Sequence, residues 1–269
     1  MKKSSLHRPV VNQRRAYFEC RYGQLHVRTA FPSTGGFDEL TPLICLHESP
    51  RSSAAFGEFL PAMAVDRSVY ACDTPGYGES DAPSAAPSVA DYAAAIGDFL
   101  DGLRLREADV VGAGTGAAIA VELALARPQG VRRLVLVAPP TGLGGARVAP
   151  TPPPSEDGAH LAFAWRQSRA QRGAGEPLDH FAAGFAEELR HGSRGIWGAA
   201  ASLAWPAQER LALVRQQALV LRTAGMEGAL DACAWLPRAV QEDVQAPAAA
   251  LFDLSADVVA TRIRAFLDR

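Results

Sequence analysis

Residues 108–140 decide the fold and read ADVVGAGTGAAIAVELALARPQGVRRLVLVAPP. The short apolar run from Asp109 to Val111, rich in β-branched residues, predicts a buried strand. The alternate glycines of Gly112–Gly116 predict a tight turn, and the apolar segment Ile119–Ala126 predicts a helix. A second buried strand is predicted at Val131–Ala138. Strand, turn, helix and strand form a βαβ unit, whose strand-to-helix turn is where such sheets bind ligands.

Alternating glycines also occur in dinucleotide-binding loops, whose fingerprint is G-x-G-x-x-G. That spacing fails here, because Ala117 and Ile119 follow the glycines and no acidic residue ends a strand about twenty residues further on. A phosphate-binding loop fails as well, since no lysine follows the glycines. We therefore expect neither a cofactor nor a metal.

Two further stretches begin in predicted strands and carry polar residues at the strand ends. LICLHESP covers residues 43–50, and YACDTPGYGESDAP covers residues 70–83. Together with Gly112–Gly116, they resemble three motifs of the α/β-hydrolase fold superfamily, which includes epoxide hydrolases, haloalkane dehalogenases and esterases. Those motifs are H-G-x-P, D-x-P-G-x-G-x-S-D-x-P and the nucleophile elbow G-x-S-x-G. They match in order and spacing, and the resemblance extends from the first predicted hairpin to Pro140.

The resemblance implies an α/β-hydrolase fold, which is a mostly parallel eight-stranded sheet with helices on both faces and a helical lid. It divides the chain into a first part of the core at residues 1–140, a lid at 141–208 and a last part of the core at 209–269. A Gly- and Pro-rich stretch at 141–154 agrees with this division, because helical spacing of apolar residues follows it. The predicted helices of the lid are 159–172, 178–191 and 193–203.

Other local signals predict the remaining elements. The alternation around Gly23 predicts an antiparallel hairpin at 16–29. Ser88 predicts a helix N-terminus, with Asp91 in the position of a capping box. Further strands are predicted at 42–46, 68–72 and 218–222, and further helices at 53–64 and 257–267.

The resemblance also indicates which catalytic groups of the family are missing. Gly114 stands at the position of the nucleophile and has no side chain to attack a substrate. The family's acid falls near Met226, with Glu227 one place away, and the family's histidine falls at 246–248. No histidine occurs after His191. Because triad hydrolysis needs the nucleophile and its base within hydrogen-bond reach, we expect no esterase activity.

Two backbone amides remain at the elbow. The family's oxyanion hole is formed by the amide after the nucleophile and by the amide of x in H-G-x-P, which correspond to Thr115 and Ser49. Such a site can hold a carbonyl, enolate or phenolate oxygen without a covalent bond. The same amides also fit a backbone that has kept its geometry after the chemistry was lost.

Glu48 replaces the glycine of H-G-x-P at the edge of the same pocket. A carboxyl group that is partly desolvated has a raised pKa and can serve as a general acid or base. We therefore predict catalytic roles for Glu48, Ser49 and Thr115. The alternative is that Glu48 turns outward and pairs with Arg51 on the loop.

A second set of residues is predicted to contact the substrate. Trp165 and Trp197 suit stacking on a flat ligand, although aromatic residues at helical spacing also pack the core of a lid. Tyr77 follows the second motif and is placed at the pocket rim. The predicted substrate-binding residues are His47, Arg51, Tyr77, Gly114, Trp165 and Trp197.

An imidazole base, if the reaction needs one, has to come from the remaining histidines. His160, His180 and His191 lie in the predicted lid, and His47 follows a predicted strand. A lone histidine in a lid is more often solvated than catalytic. The resemblance implies that His47 bonds the backbone of its loop.

The composition is that of an ordinary globular chain, with 48% hydrophobic and 21% charged residues and a formal net charge of −2. This charge gives no reason to expect a nucleic acid or a membrane surface as partner. Four scattered cysteines indicate buried free thiols in a reducing cytoplasm. We expect a bacterial, cytoplasmic protein that holds a small molecule between core and lid, and a homodimer is one possible state.

Two classes of function fit these residues. The first is a non-hydrolytic enzyme of specialised biosynthesis, which catalyses cyclisation, addition, elimination or C–C bond formation on an aromatic or polyketide-like metabolite. The second is a pseudoenzyme that binds a ligand or a protein, as in the N-myc downstream-regulated family, which also carries glycine in place of the elbow serine. An open cavity with convergent polar groups favours the enzyme, and a filled pocket favours the pseudoenzyme. The small residues Ala113, Gly114 and Gly116 favour an open floor, and hence the enzyme.

Overall fold

A computed structural model of the 269-residue chain describes residues 11–33, 39–141, 152–170, 172, 175–223, 229–246 and 250–269, without the side chains of 229–231. The strands are β1 (Val11–Cys20), β2 (Gly23–Pro32), β3 (Leu40–Leu46), β4 (Arg67–Cys72), β5 (Ala108–Ala113), β6 (Val131–Val137), β7 (Gln217–Thr223) and β8 (Ala239–Val244). The α-helices are α1 (Phe59–Met63), α2 (Val89–Gly102), α3 (Thr115–Ala126), α4 (Ala159–Ala170), α5 (Leu178–Leu189), α6 (Trp197–Ala204), α7 (Ala207–Ala212), α8 (Ala229–Trp235), α9 (Leu251–Leu254) and α10 (Ala256–Leu267). Two 3₁₀ helices cover Ser53–Phe56 and Gly192–Ile196.

The strands form one sheet in the order β1-β2-β4-β3-β5-β6-β7-β8. Strand β2 pairs antiparallel with β1 and β4. All other neighbouring strands pair in parallel. This mostly parallel eight-stranded sheet, which has helices on both faces, confirms the predicted fold class.

An apolar core lies on each face of the sheet. Helices α2 and α3 cover one face, where Ile96 and Phe99 pack with alternate side chains of the strands. Helices α1 and α10 cover the other face, where Met63 and Ile263 pack with the remaining strand side chains. Because both faces are covered, the central parallel strands read as continuous apolar runs in the sequence.

Local sequence signals place most element boundaries. The hydroxyl of Ser88 accepts a hydrogen bond from the Asp91 amide, and the Asp91 carboxylate accepts one from the Ser88 amide, which completes the predicted capping box of α2. The prediction of one continuous helix at 53–64 is wrong. The segment forms two helices, the 3₁₀ helix Ser53–Phe56 and helix α1. Pro61 explains the division, since its missing N–H and its ring exclude it from a continuous helix interior but suit the first turn of a new helix.

The helices α4, α5, α6 and α7 are inserted between β6 and β7. The segment 159–212 that contains them is here named the insert. Its predicted third helix, 193–203, is interrupted, because the 3₁₀ helix Gly192–Ile196 precedes α6. The insert occupies the position in which a lid is predicted, and its action as a lid, like the division at residues 140 and 208, stays a prediction.

The four cysteines, Cys20, Cys45, Cys72 and Cys233, are free thiols. Cys45 and Cys72 are buried in neighbouring strands, whereas Cys20 and Cys233 are partly exposed. Among the described residues, no helix is both long and apolar enough to cross a membrane.

Candidate active site

The three sequence motifs meet at one edge of the sheet because their strands are neighbours. Strand β3 lies between β4 and β5, with Leu46 in register with Cys72 on one side and with Gly112 on the other. The loops that follow these strands therefore begin side by side. In open parallel sheets, this carboxyl edge is where ligands bind.

The turn between β5 and α3 has the geometry of a nucleophile elbow. Gly114 has φ of 50° and ψ of −120°, a conformation that L residues with side chains adopt at a cost. Gly116 lies against strand β3, and a Cβ there would stand 2.1 Å from the carbonyl oxygen of Leu46. The glycines thus permit a sharp turn and close packing of α3 on the sheet.

Glu48 lies directly over Gly114. A Cβ added to Gly114 would stand 2.9 Å from the Cβ of Glu48 and 3.6 Å from its Oε2. Burial raises the pKa of the Glu48 carboxyl; Arg51 opposes this shift, and Glu188 and Glu176 add to it. Within the described part of the chain, Glu48 forms no ion pair within 4.0 Å and no side-chain hydrogen bond. Glu48 is partly exposed, and its Oε2 lies near Gly114.

The two candidate oxyanion donors lie on the loops that flank this carboxyl group. Thr115 is the first residue of α3, where a backbone N–H has no acceptor within the helix. Ser49 follows Glu48 in the neighbouring loop. No described residue outside regular elements accepts a hydrogen bond from either amide. Both N–H groups therefore lack an acceptor among the described residues, and the amino end of α3 adds a positive dipole.

His47 fixes its own loop. Its Nε2 accepts a hydrogen bond from the Thr74 amide at 2.9 Å, so its Nδ1 carries the proton and donates to the carbonyl oxygen of Glu48 at 2.9 Å. Burial lowers the pKa of this imidazole. Because both ring nitrogens are occupied by backbone, His47 has no nitrogen left for a substrate.

Asp73 joins the second motif to the first and to β2. Its carboxylate accepts hydrogen bonds from the amide of Ser53 at 2.6 Å and the amide of Glu79 at 2.8 Å, and it contacts Nδ1 of His26 at 2.7 Å. Burial acts to raise the pKa of Asp73, but these partners outweigh it and lower the pKa to about 2. Asp73 is therefore a charged residue that fixes loops.

The insert is seated on the candidate site. The hydroxyl of Tyr77, a residue that is 1% exposed, accepts a hydrogen bond from the Gly198 amide at 2.7 Å. A Cβ on Gly198 would stand 2.0 Å from Oγ of Ser49, and a Cβ on Gly76 would stand 3.7 Å from the Trp197 ring. Tyr77 and Trp197 thus join α6 to the motif loops rather than lining an open rim.

A second contact joins α6 to the elbow. The hydroxyl of Ser202 donates a hydrogen bond to Oγ1 of Thr115 at 3.0 Å. The amide of Thr115 is left free by this contact, which uses only the side chains. The insert therefore touches the residue that follows the elbow.

Trp165 packs inside the insert. Its ring lies 4.8 Å from the Phe181 ring and 5.0 Å from the Phe185 ring, both in edge-on geometry. Phe181 is buried, and the other two rings are partly buried. These contacts join α4 to α5.

The lid histidines differ in the state of their ring nitrogens. Nδ1 of His160 accepts a hydrogen bond from the Ser155 amide at 3.0 Å. Both nitrogens of His180 contact carboxylates, Glu176 at 2.7 Å and Asp253 at 3.1 Å. His191 is 4% exposed, packs on Tyr77, and has an Nε2 with no partner among the described residues. Burial lowers the pKa of His191 to about 4, so its imidazole is neutral at pH 7.

A group of charged residues beneath α5 was not predicted from the sequence. The guanidinium of Arg51, a residue that is 9% exposed, lies 3.9 Å from Oε2 of Glu187. Glu188 hydrogen-bonds the Ser168 hydroxyl at 3.1 Å. Only Glu176 and His180 carry a sequence signal, since they are four residues apart where α5 begins. Asp253, in contrast, lies 73 residues from His180.

The sequence positions that correspond to the family's acid and histidine lie partly outside the residues that the structure describes. Met226 and Glu227 fall outside them, as do residues 247 and 248. Among the residues that are described, no group of three or more His, Cys, Asp or Glu side chains is arranged to hold a metal ion.

Comparison with known proteins gives the family. The alpha/beta hydrolase fold family model matches residues 41–191, which is more than half of the chain. The chain therefore belongs to the alpha/beta hydrolase fold family. The 2-hydroxymuconate semialdehyde hydrolase of Pseudomonas sp. (strain CF600) is 37% identical over 117 residues, which cover 41% of this chain and 40% of that protein. The match thus spans less than half of that relative.

Solved structures share the fold over nearly the whole chain. The enol-lactonase from Burkholderia xenovorans LB400 has a TM-score of 0.78 at 15% identity and covers 94% of this chain and 100% of its own. A hydrolase from Pseudomonas aeruginosa PA01 has a TM-score of 0.77 at 21% identity and covers 95% of this chain and 98% of its own. At these identities the likeness concerns the fold.

Proposed function

We propose that this member of the α/β-hydrolase fold family is an enzyme that carries out non-hydrolytic chemistry on a small organic metabolite. The observation that carries the proposal is the position of Glu48, whose carboxyl group faces the space that a nucleophile's side chain would occupy on Gly114. The family's usual attacking group is thereby replaced by a group that donates or accepts a proton.

Hydrolysis by a catalytic triad lacks two of its three groups in this chain. Gly114 has no side chain, and the sequence contains no histidine after His191. Of the earlier histidines, His47 and His180 have both ring nitrogens engaged. His191 keeps an unpartnered Nε2, but its ring packs on Tyr77 and Gly114 offers no hydroxyl for it to activate. Without a nucleophile and a base in contact, no acyl-enzyme can form.

The remaining groups support proton transfer next to a stabilised oxygen. A substrate carbonyl, enolate or phenolate oxygen accepts hydrogen bonds from the amides of Thr115 and Ser49, and each such donor contributes about 10²–10³-fold to a rate. Glu48, whose pKa is raised by burial, moves a proton to or from the substrate. General acid–base catalysis of this kind increases a rate by about 10²–10⁴-fold. Cyclisation, addition, elimination and C–C bond formation next to a carbonyl group can each use this combination.

The proposed substrate is a small organic compound. The candidate classes are aromatic and polyketide-like metabolites of specialised biosynthesis. The relatives named as an enol-lactonase and a semialdehyde hydrolase support a small carbonyl-containing compound. The insert acts as a lid over the pocket, and the reaction takes place in the cytoplasm of a bacterium, where the four thiols remain reduced.

A second candidate is a catalytically inactive pseudo-hydrolase that binds a ligand or a protein partner. The close seating of the insert supports it, because Ser49 packs against Gly198 and Ser202 bonds Thr115. A lid that stayed in this position would keep a substrate from the two amides.

Incubation of the purified chain with fractionated bacterial metabolites, read by chromatography and mass spectrometry, tests the proposal. We expect one compound to be consumed by the parent protein and not by Glu48→Gln. The products, taken together, should not correspond to the substrate plus one water. Products whose summed composition is that of the substrate plus one water would contradict the non-hydrolytic reaction. A compound that is retained by the folded protein but never converted would support the pseudo-hydrolase instead.

A further inference from the structure

We infer that Arg51 binds an anionic oxygen group of the substrate, most simply a carboxylate. This inference rests on the proposed function, since it names the substrate class for the same pocket. It follows from the hydrogen-bonding state, the surroundings and the position of one guanidinium group.

The guanidinium of Arg51 is buried, and one of its donors, Nε, has no partner among the described residues. The residue is 9% exposed. Its ionic partner there, Oε2 of Glu187, stands at 3.9 Å, which is beyond hydrogen-bond distance. Because a buried charged donor without an acceptor is costly, a guanidinium in this state is prepared to receive one.

The neighbouring carboxylates are held by other partners. Glu187 accepts a hydrogen bond from the Ser52 hydroxyl, and Glu188 accepts one from the Ser168 hydroxyl at 3.1 Å. Asp253 is engaged by His180 at 3.1 Å. Glu187 stays an ionic partner of Arg51 through its other oxygen, at a separation too long for a hydrogen bond. The Nε donor of Arg51 therefore remains available to a ligand.

The helix above Arg51 leaves room for the guanidinium. Gly184 of α5 faces it, and a Cβ at that position would stand 3.1 Å from Nη1 and 3.2 Å from Cζ of Arg51. Glycine inside a helix lowers stability by about 0.5–1 kcal/mol relative to alanine. At position 184 it also leaves the space that the guanidinium occupies. The guanidinium is thus held between the loop after β3 and helix α5.

Arg51 and Glu48 belong to one turn. The amide of Arg51 donates a hydrogen bond to the carbonyl oxygen of Glu48 at 2.9 Å. A substrate whose carboxylate is held by Arg51 is therefore bound at the loop that also carries Glu48 and the Ser49 amide. The guanidinium binds the unreactive end, and the turn sets the distance to the reactive one.

Other carboxyl groups surround Arg51. Burial raises the pKa of Glu48, of Glu188 and of Asp253, and Arg51 opposes each of these shifts. A carboxyl group that is protonated donates a hydrogen bond to a carboxylate instead of repelling it. The direction of these shifts therefore lowers the repulsion that an incoming carboxylate meets.

Matched ligands that differ only in charge test this inference. Acetate, butyrate and benzoate, each compared with its methyl ester, are titrated into the full chain at millimolar concentrations with ligand-observed NMR. We expect at least one carboxylate to bind saturably and about 10-fold or more tighter than its ester. Arg51→Gln should abolish this preference, and Arg51→Lys should restore part of it, because lysine keeps the charge without the two-pronged geometry.

Two controls keep the outcome decisive. Arg190→Gln removes an exposed arginine of the insert, paired with Glu79, and should leave carboxylate binding unchanged. Thermal melting reports whether each variant is folded. Three results would each overturn the inference. They are equal binding of acid and ester, no carboxylate binding to the parent, and unchanged carboxylate binding by a folded Arg51→Gln. Glu48→Gln should still bind the carboxylate, so loss of turnover in that variant concerns the proposed reaction and not the substrate class.

Discussion

Glu48 and Gly114 have complementary shapes: the Cβ that glycine lacks would stand 2.9 Å from the Cβ of Glu48. Real Cβ atoms do not approach so closely, so a side chain on residue 114 and the observed position of Glu48 exclude each other. The two residues that depart from the family's motifs, one at the elbow and one in H-G-x-P, therefore form a pair. The glycine at the elbow makes the space into which the carboxyl group is placed.

The first prediction concerns the stability of Gly114→Ala. Its φ of 50° costs an L residue about 1–2 kcal/mol, and the overlap with Glu48 adds about 1–3 kcal/mol. Urea unfolding should therefore show a loss of about 2–5 kcal/mol. Gly192→Ala is the matched control, because Gly192 has φ of 53° but nothing within 4 Å of an added Cβ. An equal loss in both variants would show that the contact with Glu48 contributes nothing.

The same pair predicts energetic coupling. Glu48→Gly removes the Cβ that a side chain at residue 114 would meet, so the double variant should regain part of the stability lost by Gly114→Ala. Residues in direct contact typically couple by about 0.5–3 kcal/mol. Strict additivity in a double-mutant cycle would contradict the geometry described here.

The second prediction is the absence of esterase activity. The purified chain should not turn over nitrophenyl acetate or butyrate above a heat-denatured control. Gly114→Ser should not restore activity, because the new hydroxyl would meet Glu48 and no histidine follows His191 to activate it. Saturable turnover that follows the amount of folded protein would refute this prediction.

The local parts of the fold could be predicted from the sequence, because their causes lie within a few residues. The capping box of Ser88 and Asp91 and the glycine turn at the elbow both formed as predicted. Strand β8 was not predicted, since its sequence AVQEDV has no apolar alternation, and it pairs only with β7 at the sheet edge.

The contacts that shape the candidate site could not be predicted in the same way. Ser52 meets Glu187 over 135 residues, and Tyr77 meets Gly198 over 121 residues. No spacing rule connects such positions, because the path of the insert over the core decides them. Tyr77 also explains why α6 begins late, since its hydroxyl binds the Gly198 amide at the start of that helix.

The third prediction concerns Asp73 and acid stability. Its pKa is about 2 in the folded protein and 3.8 ordinarily, so the stability it contributes is present above about pH 4 and is lost as the pH falls towards 2. The difference corresponds to about 2 kcal/mol. Unfolding of the parent and of Asp73→Asn should therefore differ most near neutral pH, and the difference should shrink by about 2 kcal/mol between about pH 5 and pH 2.

Asp101→Asn is the control for this experiment. Asp101 is an exposed carboxylate paired with Arg127, and its replacement should cost less than about 1 kcal/mol. A pH-independent difference between the parent and Asp73→Asn would mean that Asp73 acts through packing and not through its charge.

The fourth prediction concerns the boundary of the insert. Residues 153–157 are exposed and precede α4, and the Pro-rich sequence there has no regular structure up to residue 154. Limited proteolysis should cut first near residues 150–158, leaving two fragments that stay associated. A first cut within Val110–Val137, which contains the elbow and two buried strands, would contradict the predicted division of the chain.

The fifth and most direct measurement compares the turnover of the identified substrate by the parent and by Glu48→Gln over a range of pH. Glutamine keeps the shape of the side chain but does not titrate, so kcat should fall at least about tenfold while KM stays nearly unchanged. The limb of the pH–rate profile that belongs to a carboxyl group with a raised pKa should disappear in the variant. A Glu48→Gln protein with the kcat and the pH profile of the parent would contradict the account, because the carboxyl group over Gly114 would then have no part in the reaction.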